Sequence, residues 1–410
     1  DRRQYRTAPP ILQWHADYES YLVNRKPIAG VGVVWSQENL DFFGREAPED
    51  RVMAPYWGFV QALIRARIPY VPVHADHVER DGADLSVLIL PNVGALSERQ
   101  RQAIRKFVIA GGGLVASGQS SLYDPDGERR ADFALADLLG VHATGKHRGQ
   151  LTPPSPSWDA AEHHSYVRLK PELRAGVEGP HISGEPKVTA ERHTVLVGFE
   201  ETDILPFGGR LELVDLEPDV IVPMTYIPPF PIYPPETAWM RESDSGDPAL
   251  VLRDKPGRGR VAYLPAAFDH AFARHNLPDH GDLLVNVIRW VADRRIPLSV
   301  EGPGLIDCHL YRQDNRLVLH LINLSHPGTW RPPLHELLPV GPLEVAIRLP
   351  EGVIVNHGRC LVSDQAPTLA FEDGWVRFEI PSILDHEVVV SGLQRNQEGM
   401  IFFAILAGLL

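Results

Sequence analysis

The stretch 85–121, LSVLILPNVGALSERQRQAIRKFVIAGGGLVASGQSS, decides how this chain folds. Residues 85–90 are almost wholly apolar and do not alternate with polar ones. A strand of that kind is buried on both faces, as in a parallel sheet flanked by helices. Ser97 follows, with Gln100 three residues later. That pairing is a capping box, in which each side chain satisfies the other's free backbone N–H. Ala103, Ile104, Phe107 and Val108 then recur at helical spacing and mark the inner face. Gly111-Gly112-Gly113 stops the helix, and 114–116 opens a further strand that runs into the polar loop 117–130.

Working outward, 28–35 (IAGVGVVW) is another buried-type strand, ending in Ser36-Gln37-Glu38-Asn39. Val52, Tyr56, Val60, Leu63 and Ile64 predict a helix that Pro69 ends, and 70–73 is a short strand. Strand and helix in alternation predict an α/β domain, a flavodoxin-like parallel sheet with helices on both faces. The segment 142–193 is rich in Pro, Ser, His and charge and reads as an excursion. Strands resume at 211–216, 220–226, 249–253 and 260–265, the last two joined by a turn at 257–259, before a helix over 282–293. From 298 the texture changes to short strands punctuated by turns such as Gln313–Arg316 and Asp373-Gly374. This predicts an all-β sandwich. The expected organisation is a linker over 1–24, the α/β domain over 25–297, the sandwich over 298–392 and a tail over 393–410.

Bulk properties narrow the partners. A net charge of -13 with no basic block excludes a nucleic-acid polyanion and suits neutral ligands. The apolar run 400–410 is shorter than the ~20 residues a membrane span needs, so no membrane partner is expected. Cys308 and Cys360 are the only cysteines, which rules out a disulfide framework and favours a cytoplasmic over a secreted location. The chain opens on Asp1 with no signal peptide and is expected to be part of something longer.

Several stretches together resemble a known domain. KPIAGVGVVWSQENLDFFG, YWGFVQALIRARIPYVPV, the opening stretch above, FALADLLGV, GRGRVAYLPAAFD and HGDLLVNVIRWV are similar to the trimerisation domain of family 42 β-galactosidases. That domain has a class I glutamine-amidotransferase-like fold. The resemblance spans roughly 25–297 and implies an upstream catalytic barrel that carries the two catalytic carboxylates. It also implies a homotrimer, carbohydrate as the parent enzyme's substrate, and no catalytic role inherited by any residue here. No cofactor is expected.

The residues offer weaker candidates of their own. In an amidotransferase-like hydrolase the nucleophile sits at a strand-to-helix elbow and needs a paired base. The matching position is Ser117, with His270 a base that only the fold could bring near. Glu38 and Asp41 follow the first strand, where open α/β sheets bind ligands. They read either as a carboxylate pair or as a solvated loop. Asp124, Asp126 and Glu128 lack the full spacing of a calcium loop, and His270, His275 and His280, at five-residue steps, suit a polar loop better than a metal site, so no metal is expected. The proline-stiffened run 226–239 presents Phe230, Tyr233 and Trp239, for a sugar ring, for a neighbouring subunit, or for its own domain. A carbohydrate-binding sandwich using Trp330 and Trp375 is a third alternative.

Overall fold

A computed structural model describes residues 4–151, 164–172, 190–242, 244–293, 295–325 and 336–395. Two compact units emerge, one of residues 30–66 and 71–295, the other of 1–29, 67–70 and 296–410.

The first unit is built on a nine-stranded sheet. Its strands are β1 (Val31–Trp35), β2 (Tyr70–His74), β3 (Val87–Leu90), β4 (Gly113–Ser117), β5 (Tyr166–Leu169), β6 (Ile204–Pro206), β7 (Ile221–Ile227), β8 (Pro248–Arg253) and β9 (Val261–Leu264). They lie in the order β2-β1-β3-β4-β9-β8-β7-β5-β6. β1, β3, β4 and β9 run parallel, with Val31 opposite Val87, Val87 opposite Gly113 and Val261 opposite Leu114. β1 and β3, which lie within the apolar runs 28–35 and 85–90, are thus parallel neighbours, although β1 begins only at Val31. The remaining strands correct the wholly parallel expectation. β9–β8, β8–β7, β7–β5 and β5–β6 are all antiparallel, so the sheet is mixed.

Helices α1 (Ala54–Arg65), α2 (Glu98–Ile109), α3 (Phe268–His275) and α4 (Pro278–Ala292) belong to the same unit. The capping box of α2 forms as read, with Gln100 N–H donating to Ser97 Oγ and Ser97 N–H to Gln100 Oε1. Two wide helical turns, Asn39–Gly44 and Glu49–Met53, lead into α1. Val141–Arg148, at the start of the excursion, pairs with Leu211–Leu216 beyond it in a separate two-stranded sheet.

In the second unit the burial pattern switches to alternation, as in Leu298–Glu301 and Trp375–Ile380. Each strand there has one face on a core and one outside. Ile306–Gln313, Arg316–Asn323, Val353–Cys360 and His386–Arg395 form one antiparallel sheet with Lys26–Pro27 at its edge. Leu298–Glu301, Leu343–Arg348, Ala370–Glu372 and Trp375–Ile380 form another. One core joins the two, with Leu298, Val345 and Phe378 meeting Cys308, Leu319 and Val389. The N-terminal stretch, expected as a linker, is helical from Gln4 to Leu22. Its Trp14, Tyr18 and Tyr21 pack against Val318, Leu361, Val388 and Val390. Among the described residues no helix is long and apolar enough to cross a membrane. The run 400–410 lies outside the described residues.

Candidate functional site

The elbow after β4 is built in a way that its sequence does not announce. A nucleophile elbow carries its reactive side chain on the strained residue of the turn, and the next backbone N–H faces the developing oxyanion. Here the residue at positive φ, +53°, is Gly118. A Cβ at that position would lie 2.5 Å from Asn92 Oδ1. The following N–H, that of Gln119, donates to the same Asn92 Oδ1 at 2.7 Å. Asn92 is held in turn by its Nδ2, which donates to the Arg51 carbonyl at 2.7 Å.

Ser117 is 1% exposed. Its hydroxyl donates to Asp269 Oδ2 at 2.5 Å and accepts from the Asn92 N–H at 2.9 Å. Asp269 sits in the first turn of α3 and is itself buried. Burial pushes its carboxyl pKa up, against the opposing pull of the Ser117 hydroxyl and the His270 N–H. The His270 ring does not serve Ser117, because its Nε2 faces Asp50 Oδ1 at 3.1 Å. A cleft of about 20 Å³, bordered by Gly118, Gln119, Arg210, Glu212 and Asp269, opens beside this network. That is room for roughly one water.

A larger cavity, of about 410 Å³, lies at the carboxyl end of β1 and β3. Between these strands the chain reverses its winding, from β1 outward to β2 and then back to β3. Open α/β sheets bind ligands at such a switch point, because the loops there diverge and leave a crevice. Trp35 and Tyr56 supply rings; Val34, Val52, Pro72, Pro91 and Val93 are among the walls; Ser36, Gln37 and Asn39 are polar. Glu38 and Asp41 belong to the adjoining turn but do not line the cavity. Glu38 accepts from the Ser36 hydroxyl at 2.9 Å, and Asp41 from Gln37 Nε2 at 2.9 Å. Each carboxylate is therefore engaged within its own turn.

The other candidates scatter. Phe230 stacks on Tyr166 of its own unit at 5.4 Å and 17°, and the Arg241 guanidinium lies 3.5 Å over the Trp239 ring. Of the three aromatics, Tyr233 is the open one, at 67% exposure. Trp375 lies under Arg348, and Trp330 falls outside the described residues. Asp124 Oδ1 accepts the N–H groups of Asp126 and Glu128, closing a turn on itself. His270 and His275 sit in α3 and His280 in α4, which corrects the expected polar loop. Among the described residues, no three His, Cys, Asp or Glu side chains are placed to hold a metal. Sequence reasoning missed Asn92 and Asp269, although both follow parallel strands, where such sheets place functional groups.

No protein-family model and no curated protein sequence matches the chain. Solved structures do. An α-L-fucosidase isoenzyme 2 from Paenibacillus thiaminolyticus matches with a TM-score of 0.66 at 18% identity, over 93% of this chain and 51% of that one. A β-galactosidase from Bacillus circulans sp. alkalophilus matches with a TM-score of 0.59 at 14% identity, over 93% and 44%. A catalytic mutant of a GH42 β-galactosidase from G. stearothermophilus matches with a TM-score of 0.55 at 15% identity, over 95% and 44%. The chain thus spans about half the length of these enzymes or less, and across that span it has a glycoside-hydrolase-like fold.

Proposed function

We propose that this chain is the non-catalytic, oligomerising and active-site-supporting portion of a glycoside-hydrolase-like enzyme of carbohydrate metabolism. The observation that carries the reading is the closed elbow. Gly118 offers no nucleophile, Asn92 takes the Gln119 N–H, and the Ser117 hydroxyl, 1% exposed and held on Asp269, is out of a substrate's reach. Without an attacking group or an oxyanion donor, an acyl-transfer step has neither its covalent intermediate nor its stabilisation. A glycosidase would need two facing carboxylates, and those of Glu38 and Asp41 are turned into their own hydrogen bonds. The assembly part of the proposal rests on the sequence resemblance, with Phe42 and Tyr233 as exposed rings suited to a subunit contact.

Light scattering on the purified chain, together with a panel of chromogenic glycosides, tests both parts. The expected result is a trimer mass and no turnover. A strict monomer at high concentration removes the assembly claim. Turnover that disappears in Ser117→Ala or Glu38→Ala overturns the non-catalytic one.

A further inference from the structure

We propose that the cavity at the β1/β3 switch point is a binding site for a neutral, aromatic-ring small molecule. The proposal does not depend on the supporting role argued above. It starts from the chemistry of the lining. Among the described residues no charged side chain borders the cavity, although the chain carries 93 Lys, Arg, Asp and Glu residues in total (40 basic and 53 acidic). An ionic ligand would enter without a counter-charge and lose its hydration, so the site favours an uncharged one.

Part of the polar lining of the cavity is already employed. Ser36 Oγ donates to Glu38 and accepts the Asn39 N–H at 3.1 Å. Gln37 Nε2 is bound to Asp41, and Asn39 Oδ1 accepts the Ala95 N–H at 3.1 Å. Most of the lining is apolar, a poor match for a polyhydroxylated sugar. It offers apolar wall and ring surface, so affinity must come from burial and stacking.

The ring surface is set in advance. His74 meets Trp35 edge-on at 4.8 Å and 89°, yet Trp35 stays 42% exposed. The Asn39–Ala95 hydrogen bond ties the turn that forms one wall to the loop after β3. A preformed pocket loses little freedom on binding. Its volume, about 410 Å³, falls in the range of ~300–1,000 Å³ typical of small-molecule sites.

The test uses the chain as it stands. Indole is titrated and followed by calorimetry and by the side-chain N–H resonance of Trp35, with benzoate as the charged comparison. Indole is expected to bind saturably, with a Kd on the order of 1 mM or tighter. Benzoate should bind at least tenfold more weakly. Trp35→Ala should weaken indole at least tenfold, and Val52→Trp, which fills the cavity, should abolish binding even if the Trp35 variant folds poorly. Unfolding midpoints of both variants separate loss of site from loss of fold. The proposal is overturned if indole fails to bind up to its solubility limit, if benzoate binds equally well, or if binding survives Val52→Trp. It is also overturned if indole does not bind but Trp35→Ala abolishes self-association, because the cavity would then belong to a subunit contact.

Discussion

Replacing Ser117 with Ala separates a structural hydroxyl from a catalytic one. The substitution removes one oxygen from a site that is 1% exposed, so the hydrophobic core is nearly unchanged. Two hydrogen bonds go with it. One is donated to a buried carboxylate, and bonds to charged groups contribute about 1.5–3 kcal/mol. The other leaves the buried Asn92 N–H without its acceptor, at a cost of about 1–3 kcal/mol. Some relaxation is certain, so the expected loss is about 2–5 kcal/mol. Urea unfolding at several pH values is the assay. Burial raises the Asp269 pKa in the folded state, so the stability linked to this group is fully present below the unfolded carboxyl's pKa and falls as pH rises through the folded value. Ser117 opposes that rise, and without it the folded pKa climbs further. The variant's deficit should therefore be larger at pH 8 than at pH 5. A loss within 0.5 kcal/mol of the parent, flat across pH, would falsify the structural role and restore Ser117 as a candidate nucleophile.

Three further outcomes can be checked with the same preparations. Gly58→Ala should destabilise the chain by about 3 kcal/mol or more in thermal or urea unfolding, because its Cβ would lie 1.9 Å from the Asp269 carbonyl oxygen, which is backbone and has little room to yield; a near-neutral variant contradicts the close packing of α1 on α3. Glu344 stands directly opposite both Glu301 and Glu379 in one row of the sandwich sheet, so Glu344→Lys should raise stability by about 0.5–1 kcal/mol at low salt, and an unchanged or lower midpoint would count against that repulsion. Cys308 and Cys360 should alkylate slowly in the native state, since burial pushes both thiols up, Cys360 to about 11 and Cys308 beyond it; rapid labelling of either at neutral pH would contradict this.

What the sequence disclosed follows from how far apart the interacting groups lie. The strands β1, β3 and β4 were legible because burial on both faces leaves an unbroken apolar run. Strand direction was less so, because β8, in an antiparallel pair, is as fully buried as β4. The turn at 257–259 already required β8 and β9 to be antiparallel, and it was the one visible sign that the sheet is mixed. The N-terminal helix was obscured by Pro9 and Pro10, although Trp14, Tyr18 and Tyr21 have the spacing of a single helical face.

The elbow shows the limit most clearly. Its position could be read from the strand that ends at Ser117, but its chemistry could not. Whether such a turn is open or closed depends on what stands beside it, and here that is Asn92, from the loop after the neighbouring strand, and Asp269, 152 residues away. A hydroxyl at this point is a nucleophile only if a base can take its proton and an N–H can meet the oxyanion. Asp269 accepts that proton's hydrogen bond, but Ser117 is 1% exposed and out of reach of a substrate carbon, and the Asn92 side-chain Oδ1 already takes the Gln119 N–H that an oxyanion would need. A side chain at Gly118 would collide with that same oxygen. Reopening the elbow would therefore take at least two changes, one to supply a nucleophile at 118 and one to withdraw the amide at 92, and neither alone restores the geometry.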